Sequence, residues 1–255
     1  HRLPKTIVLT SDLNSITESD IFILAIPMQE LENFLKTYAP KLNRQNVIAC
    51  SKGIDLFSGK GPSEIIGDAY PNSHIAFLTG PSFAEEIALG MPTALTLACA
   101  NDRLAGYLQA SISSEFLRIY RTRDLKGAEM ASAIKNVIAI ACGACTGAGL
   151  GENARAALMT RGFAEMVRVG KAFGAEPETF SGLSGMGDLF LTATSEKSRN
   201  FSFGLAVGSE TDFDGVKTIE GIKTAEALLY LAKEKGLELP VVETVFEIVN
   251  KKINV

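Results

Sequence analysis

The sequence predicts an α/β fold, a doubly wound and mainly parallel sheet followed by an all-α half, and three observations carry that prediction. Short apolar, β-branched runs alternate with helix-length amphipathic runs across the first half. The alternation stops near Asp124, and from Leu125 onward the period is helical with almost no strand signal. The chain has 255 residues and is 46% hydrophobic, enough for one large unit or two modest ones with real cores. Residues 1–124 are therefore expected to form a sheet domain and residues 125–255 a helical one. A change of period, not a flexible linker, marks the boundary.

In the first half, Asp20–Pro27 is a continuous apolar run, expected as a strand buried on both faces. Met28–Tyr38 carries Leu31, Phe34, Leu35 and Tyr38 at helical spacing. Asn46–Ser51, His74–Thr79, Thr93–Ala100 and Phe116–Arg121 read as further strands. Ser63–Tyr70, Ser82–Leu89 and Asp102–Ser111 read as the helices between them. Strand–helix alternation implies right-handed crossovers. In the second half, Leu125–Cys145 is one long helix, and Ile134–Leu150 within and after it is rich in alanine and glycine, as a close-packed buried helix would be. Thr146–Glu152 is a break, and Asn153 is expected to cap a second long helix ending at Gly174. Shorter helices are expected at Glu178–Leu183, Phe201–Val207, Thr224–Glu234 and Val242–Lys251.

The net charge of −4 argues against a nucleic-acid or anionic-membrane partner. No unbroken apolar run reaches the roughly 18 residues of a membrane span. The first residue is His1 rather than Met, with no secretory or transit pattern behind it, so the sequence is expected to begin inside a longer protein. Of the four cysteines, Cys142 and Cys145 form C-G-A-C. Its apolar, small-residue surroundings favour buried thiols acting as small hydrophobes over a redox or metal pair. No metal site is expected, and the cysteine usage suggests a reducing, cytoplasmic setting.

Ligands in open α/β sheets bind beyond the carboxyl ends of the strands. That rule selects Pro27-Met28, Ser51-Lys52-Gly53 and Gly80-Pro81-Ser82-Phe83-Ala84. Lys52 follows a buried strand and can aim a cation at an anionic or carbonyl ligand, the alternative being a solvated loop lysine. Lys135 lies among small apolar residues in Ala131–Ile140, where lost hydration would lower its pKa toward a general base's range. A snorkelling lysine at a helix edge is the alternative. The only histidines, His1 and His74, are poorly placed for acid–base work. Glycines flank Asp188 in Gly185-Met-Gly-Asp188, a carboxylate able to hold an ammonium or a substrate hydroxyl. Ser198-Arg199-Asn200 can open a helix whose free N–H groups and guanidinium suit a phosphate. A helix cap with a surface arginine is the alternative. Gly59-Lys60-Gly61 fails as a phosphate loop, and no G-x-G-x-x-G occurs.

These segments together resemble the bacterial-type NAD(P)-dependent glycerol-3-phosphate dehydrogenase family. The resemblance rests on Leu3-Pro4 with Thr10–Leu13, Ile26-Pro27, Ser51-Lys52-Gly53, Gly80–Glu86, Ala133–Ile140, Asn153–Gly162, Gly187-Asp188-Leu189 and Ser198-Arg199-Asn200, in that order along nearly the whole chain. It implies a Rossmann-type nucleotide-binding half (lacking here the N-terminal glycine-rich segment) and an α-helical substrate half. A soluble, cytoplasmic homodimer follows, acting on a small phosphorylated substrate with NAD or NADP and feeding glycerophospholipid synthesis. By the family pattern Lys135 is the proton acceptor. Lys52, Gly80, Ser82, Asp188, Ser198, Arg199 and Asn200 would join it around the substrate. Lys52, Ala84, Arg199, Thr218 and Glu220 would touch the cofactor; Thr218 replaces a commonly aliphatic residue. Two other readings stay open on the residues: a related hydroxy-acid dehydrogenase, and a non-catalytic or cofactor-deficient fragment.

Overall fold

The computed structural model describes residues 5–16, 19–38, 46–56, 58–213 and 219–255. Five strands, β1 (Ile21–Leu24), β2 (Asn46–Ala49), β3 (His74–Thr79), β4 (Thr93–Ala98) and β5 (Leu117–Thr122), lie across one sheet in chain order among the described residues. Neighbours are parallel except β3 and β4, which are antiparallel. Helices α1 (Met28–Tyr38), α2 (Pro62–Ala69), α3 (Ala84–Ala88) and α4 (Asp102–Ile112) fall between the strands. The reversal at β3–β4 explains how both faces are covered. With right-handed crossovers, a change of strand direction sends the next helix to the opposite face. Accordingly α1 and α2 pack with Phe22, Val47 and Phe77 on one side, and Leu104 and Leu108 of α4 pack with Ile48, Ala76 and Leu97 on the other.

The first strand corrects the expectation of burial on both faces. Phe22 and Leu24 are buried, but Ile23 is half exposed at 51%. The reason is placement: α4 sits against β4 and β5 and leaves the far face of β1 uncovered among the described residues.

Beyond β5 the described elements are helical: α5 (Leu125–Gly147), α6 (Gly151–Ala172), α7 (Pro177–Ser181), α8 (Asp188–Ala193), α9 (Arg199–Gly208), α10 (Glu220–Lys235) and α11 (Pro240–Val249). Asp124 caps α5 by accepting from the Gly127 amide at 2.8 Å, and it also accepts from the Glu176 amide ahead of α7. Asn153 is not the cap of α6. That helix starts at Gly151, two positions earlier, where Gly149 and Gly151 at φ +70° and +86° turn the chain. Gly174, at φ +78°, stops it as expected. A single π-turn over Leu183–Gly187 and the short α8 went unanticipated.

α5 is the axis of this half. It is long and apolar enough to cross a membrane by length and composition, yet 89% of its most apolar window is enclosed by the surrounding helices. Cys142 and Cys145 lie on its buried surface as free thiols, and burial pushes the Cys142 thiol up to about 12. The small residues have a definite use. A methyl group built at Gly143 would stand 2.1 Å from the Phe201 carbonyl, and one at Gly204 or Gly208 would stand 2.1 Å from the carbonyl of Ile140 or Ala144. The two helix backbones therefore touch through paired glycines, running parallel in four-residue steps. The same register, one step earlier, sets Asn136 beside Asn200.

Candidate active site

Three chain segments distant in sequence meet where the sheet half faces α5. Lys52 lies just past β2, Lys135 on the third turn of α5, and Asp188 at the start of α8. The Asp188 carboxylate accepts from Lys135 Nζ at 2.5 Å through Oδ1 and from Lys52 Nζ at 2.9 Å through Oδ2. Thr192, one helical turn on, accepts from Lys135 Nζ at 2.9 Å and reaches Asp188 Oδ1 at 3.4 Å. Thr79, at the end of β3, places its hydroxyl 3.5 Å from Asp188 Oδ2. The π-turn aims Asp188 inward, an irregularity common at functional sites. It needs Gly185, where a methyl group would lie 2.1 Å from the Phe180 carbonyl.

The charges explain one another. Lys135 and Asp188 are buried, while Lys52 keeps about a quarter of its side chain exposed. Burial acts first on Lys135, lowering its pKa, and Lys52 lowers it further against the pull of Asp188, to about 7. Two ammoniums sharing one carboxylate carry a net positive charge into a largely buried site. Releasing the Lys135 proton leaves the neutral pair of Lys52 and Asp188. Burial alone would raise the Asp188 carboxyl, but the two lysines outweigh it and hold it below the usual range.

A cleft of about 620 Å³ opens over this cluster. Lys52, Ser82, Lys135, Ser198, Arg199, Asn200 and Glu220 all line it, seven of the residues selected from the sequence. Asp188 lies beneath its floor. Gly80 does not line the cleft but shapes its wall. At φ +138° and with a methyl group 3.2 Å from Leu95 Cα, only glycine makes the turn that delivers Ser82. Ser198 caps α9, its hydroxyl accepting from the Phe201 amide at 3.3 Å. Ala84 is exposed at the head of α3 and lies outside the cleft lining. Thr218 falls outside the described residues.

Comparison with known proteins identifies the family. Two family models match: the one described as NAD-dependent glycerol-3-phosphate dehydrogenase N-terminus covers residues 1–105, and the one described as its C-terminus covers residues 124–255. The chain belongs to this family. The glycerol-3-phosphate dehydrogenase (NAD(P)+) of Ruegeria sp. (strain TM1040) is 51% identical over 253 residues, which are 99% of this chain and 79% of that protein. That of Paracoccus denitrificans (strain Pd 1222) is 52% identical over 94% of this chain and 76% of its own length. The crystal structure of glycerol-3-phosphate dehydrogenase from Coxiella burnetii superposes with a TM-score of 0.94 at 31% identity, covering 98% of this chain and 79% of that one. D-mandelate dehydrogenase, with a TM-score of 0.61 at 16% identity, shares the fold.

A nicotinamide cofactor of this dehydrogenase family fits the residues present. Gly53, at φ +135°, brings backbone close to Met28 and Glu220, where a methyl group would press on Met28 at 3.3 Å and lie 3.6 Å from Glu220 Oε2. Beside it, Glu220 Oε2 is buried without a hydrogen-bond partner among the described residues. Burial raises the Glu220 carboxyl, opposed by Arg199 and by a hydrogen bond from the Met28 amide. A buried acceptor without a partner, at the carboxyl ends of the strands, is what a polar cofactor edge requires.

Among the other residues that line the cleft, Asn136, Thr192 and Lys197 are not singled out by the sequence. Lys197 pairs with Glu86 at 2.7 Å and lies 5.6 Å over the Phe83 ring. Two signals were available. Asn136 is a poor helix former in an alanine- and isoleucine-rich helix, and Thr192 follows Asp188 by four positions, one helical turn.

Proposed function

We propose that the full-length protein interconverts sn-glycerol 3-phosphate and dihydroxyacetone phosphate with NAD or NADP, using Lys135 as the proton acceptor. The observation that carries this reading is the buried trio of Lys52, Asp188 and Lys135 under a cleft whose far wall is the Ser198-Arg199-Asn200 helix start. The nicotinamide, when bound, supplies hydride exchange at C2. The rest falls to the chain. Neutral Lys135 accepts the C2 hydroxyl proton, and its ammonium returns that proton to the developing alkoxide in reverse. Lys52 places positive charge by the same oxygen. Asp188 and Thr192 fix the Lys135 amine by two hydrogen bonds, so its lone pair has one direction left to face. The first turn of α9, with its unpaired N–H groups and the Arg199 guanidinium, suits the substrate phosphate.

Family membership supports the finer parts of the same proposal: residues 1–124 as the nucleotide-binding domain, residues 125–255 as the substrate domain, a homodimer in the cytoplasm, and a product that feeds glycerophospholipid synthesis. Ala84 and Thr218 are carried as cofactor contacts on the resemblance alone.

Arg199 gives the test. In the full-length enzyme, Arg199→Ala is expected to raise the substrate KM about tenfold to a hundredfold, as loss of a charged hydrogen bond of about 1.5–3 kcal/mol would. Inorganic phosphate, a competitor of substrate in the wild type, should compete less well in the variant. A substrate KM within twofold of wild type removes Arg199 from phosphate binding.

A further inference from the structure

Asn200 faces the cleft beside Arg199, but most of its side chain is already committed. Its Oδ1 accepts from the Gly221 backbone amide at 3.0 Å, and its Nδ2 donates to Asn136 Oδ1 at 3.1 Å. Asn136 in turn donates through Nδ2 to the Ser132 carbonyl at 3.3 Å. The orientation of both amides is fixed by their partners: a backbone N–H can only donate and a backbone carbonyl can only accept. Of the two N–H groups on Asn200, one is left for a ligand.

The Gly221 end of this chain of bonds is built for close approach. A methyl group at Gly221 would stand 2.7 Å from the Asn136 carbonyl, 2.7 Å from Ile140 Cδ1 and 2.8 Å from Asn200 Oδ1. Glycine alone lets the first turn of α10 sit down on the paired α5 and α9. Glu220, the residue before it, then reaches across to the sheet half, where the Met28 amide hydrogen-bonds its carboxylate and Oε2 is buried at the cleft with no partner among the described residues.

We infer that Asn200 is a positioning residue for cofactor binding: through Gly221 it holds the Glu220 carboxylate in place, linking the substrate-phosphate end of the cleft to the nicotinamide end. This rests on the reading of Glu220 as a cofactor contact. Binding of substrate and cofactor is thereby coupled, since a phosphate drawn to the free N–H of Asn200 bears on the same amide that seats α10.

The test is a titration of NADH fluorescence in the full-length protein with no substrate present, so that phosphate contact plays no part. Asn200→Ala should weaken NADH binding about fivefold to tenfold, the loss of one to two buried hydrogen bonds. Gly221→Ala, which removes no polar group, should weaken it comparably by lifting α10. Should Gly221→Ala fail to fold, the double-mutant cycle decides alone: in a Glu220→Ala background, Asn200→Ala should cost NADH affinity less than twofold further. A pure phosphate ligand would leave NADH affinity unchanged in Asn200→Ala, and that result overturns the inference. So does an undiminished effect of Asn200→Ala in the Glu220→Ala background. If Glu220→Ala itself leaves NADH affinity intact, the cofactor reading of Glu220 is what fails. A wild type that binds NADH but turns over no glycerol 3-phosphate counts instead against the proposed function.

Discussion

Lys135→Ala in the full-length enzyme is expected to lose about 10²–10⁴ in kcat, the ordinary worth of a positioned general base. The substrate KM should move only a few-fold, because the phosphate end of the cleft is built from other residues. The loss should be similar in both directions, since one amine accepts the proton in oxidation and returns it in reduction. The fold should survive. Removing Lys135 leaves Asp188 paired with Lys52 at 2.9 Å, so no buried charge is stranded. Single-turnover formation of NADH isolates the chemical step from product release. Turnover near wild type would take Lys135 out of the reaction.

The second large effect is expected at Asp188. Asp188→Asn keeps the shape but removes the only carboxylate that both lysines share. Its amide can accept from one lysine and must turn an N–H toward the other. A reacting amine displaced by about 1 Å can cost on the order of 10²-fold in rate, and kcat is expected to fall by at least that much. The direction of the Lys135 titration separates misplacement from a change in basicity. Without the Asp188 charge, nothing opposes burial and the Lys52 ammonium, so the Lys135 pKa falls below its wild-type value of about 7. Lys135 is then neutral over a wider pH range yet slower, which is the signature of a base out of position. Thermal melting should show a loss too, because Lys52 is left without its partner. A variant that keeps wild-type kcat would mean that Asp188 serves stability alone.

Much of this architecture was legible because it follows from local rules. Apolar runs bounded by glycine and proline gave the strands of the sheet, and the shift to a 3.6-residue period after Asp124 gave the helical half. Lys52 and Ser82 were found by the strand-end rule, and Lys135 by its setting of small apolar residues. What escaped depends on distance. The half-exposed face of β1 is set by where α4 packs, and nothing in Asp20–Pro27 encodes that. The π-turn before Asp188 is not legible in Gly185-Met186-Gly187 because its cause is a close approach to the Phe180 carbonyl. The start of α6 at Gly151 overrode Asn153 because two glycines in left-handed geometry turn the chain earlier than a cap could. Asn136 and Thr192 matter only once α5, α8 and α9 are brought together, and the paired glycines that bring them are silent in a single helix. Ala84 carries the family motif and is exposed, outside the cleft lining to which Ser82 and Phe83 belong.

The account depends on an amine that sheds its proton near neutrality inside the folded protein. NMR of the full-length enzyme with ¹³Cε- and ¹⁵Nζ-labelled lysine tests this directly, with the Lys135 signal identified as the one missing in Lys135→Ala. The predicted result is a titration midpoint at about 7 for that signal. A Lys135 signal that stays protonated to pH 10 or beyond, as an ordinary solvated lysine does with its pKa of about 10.4, would contradict the mechanism.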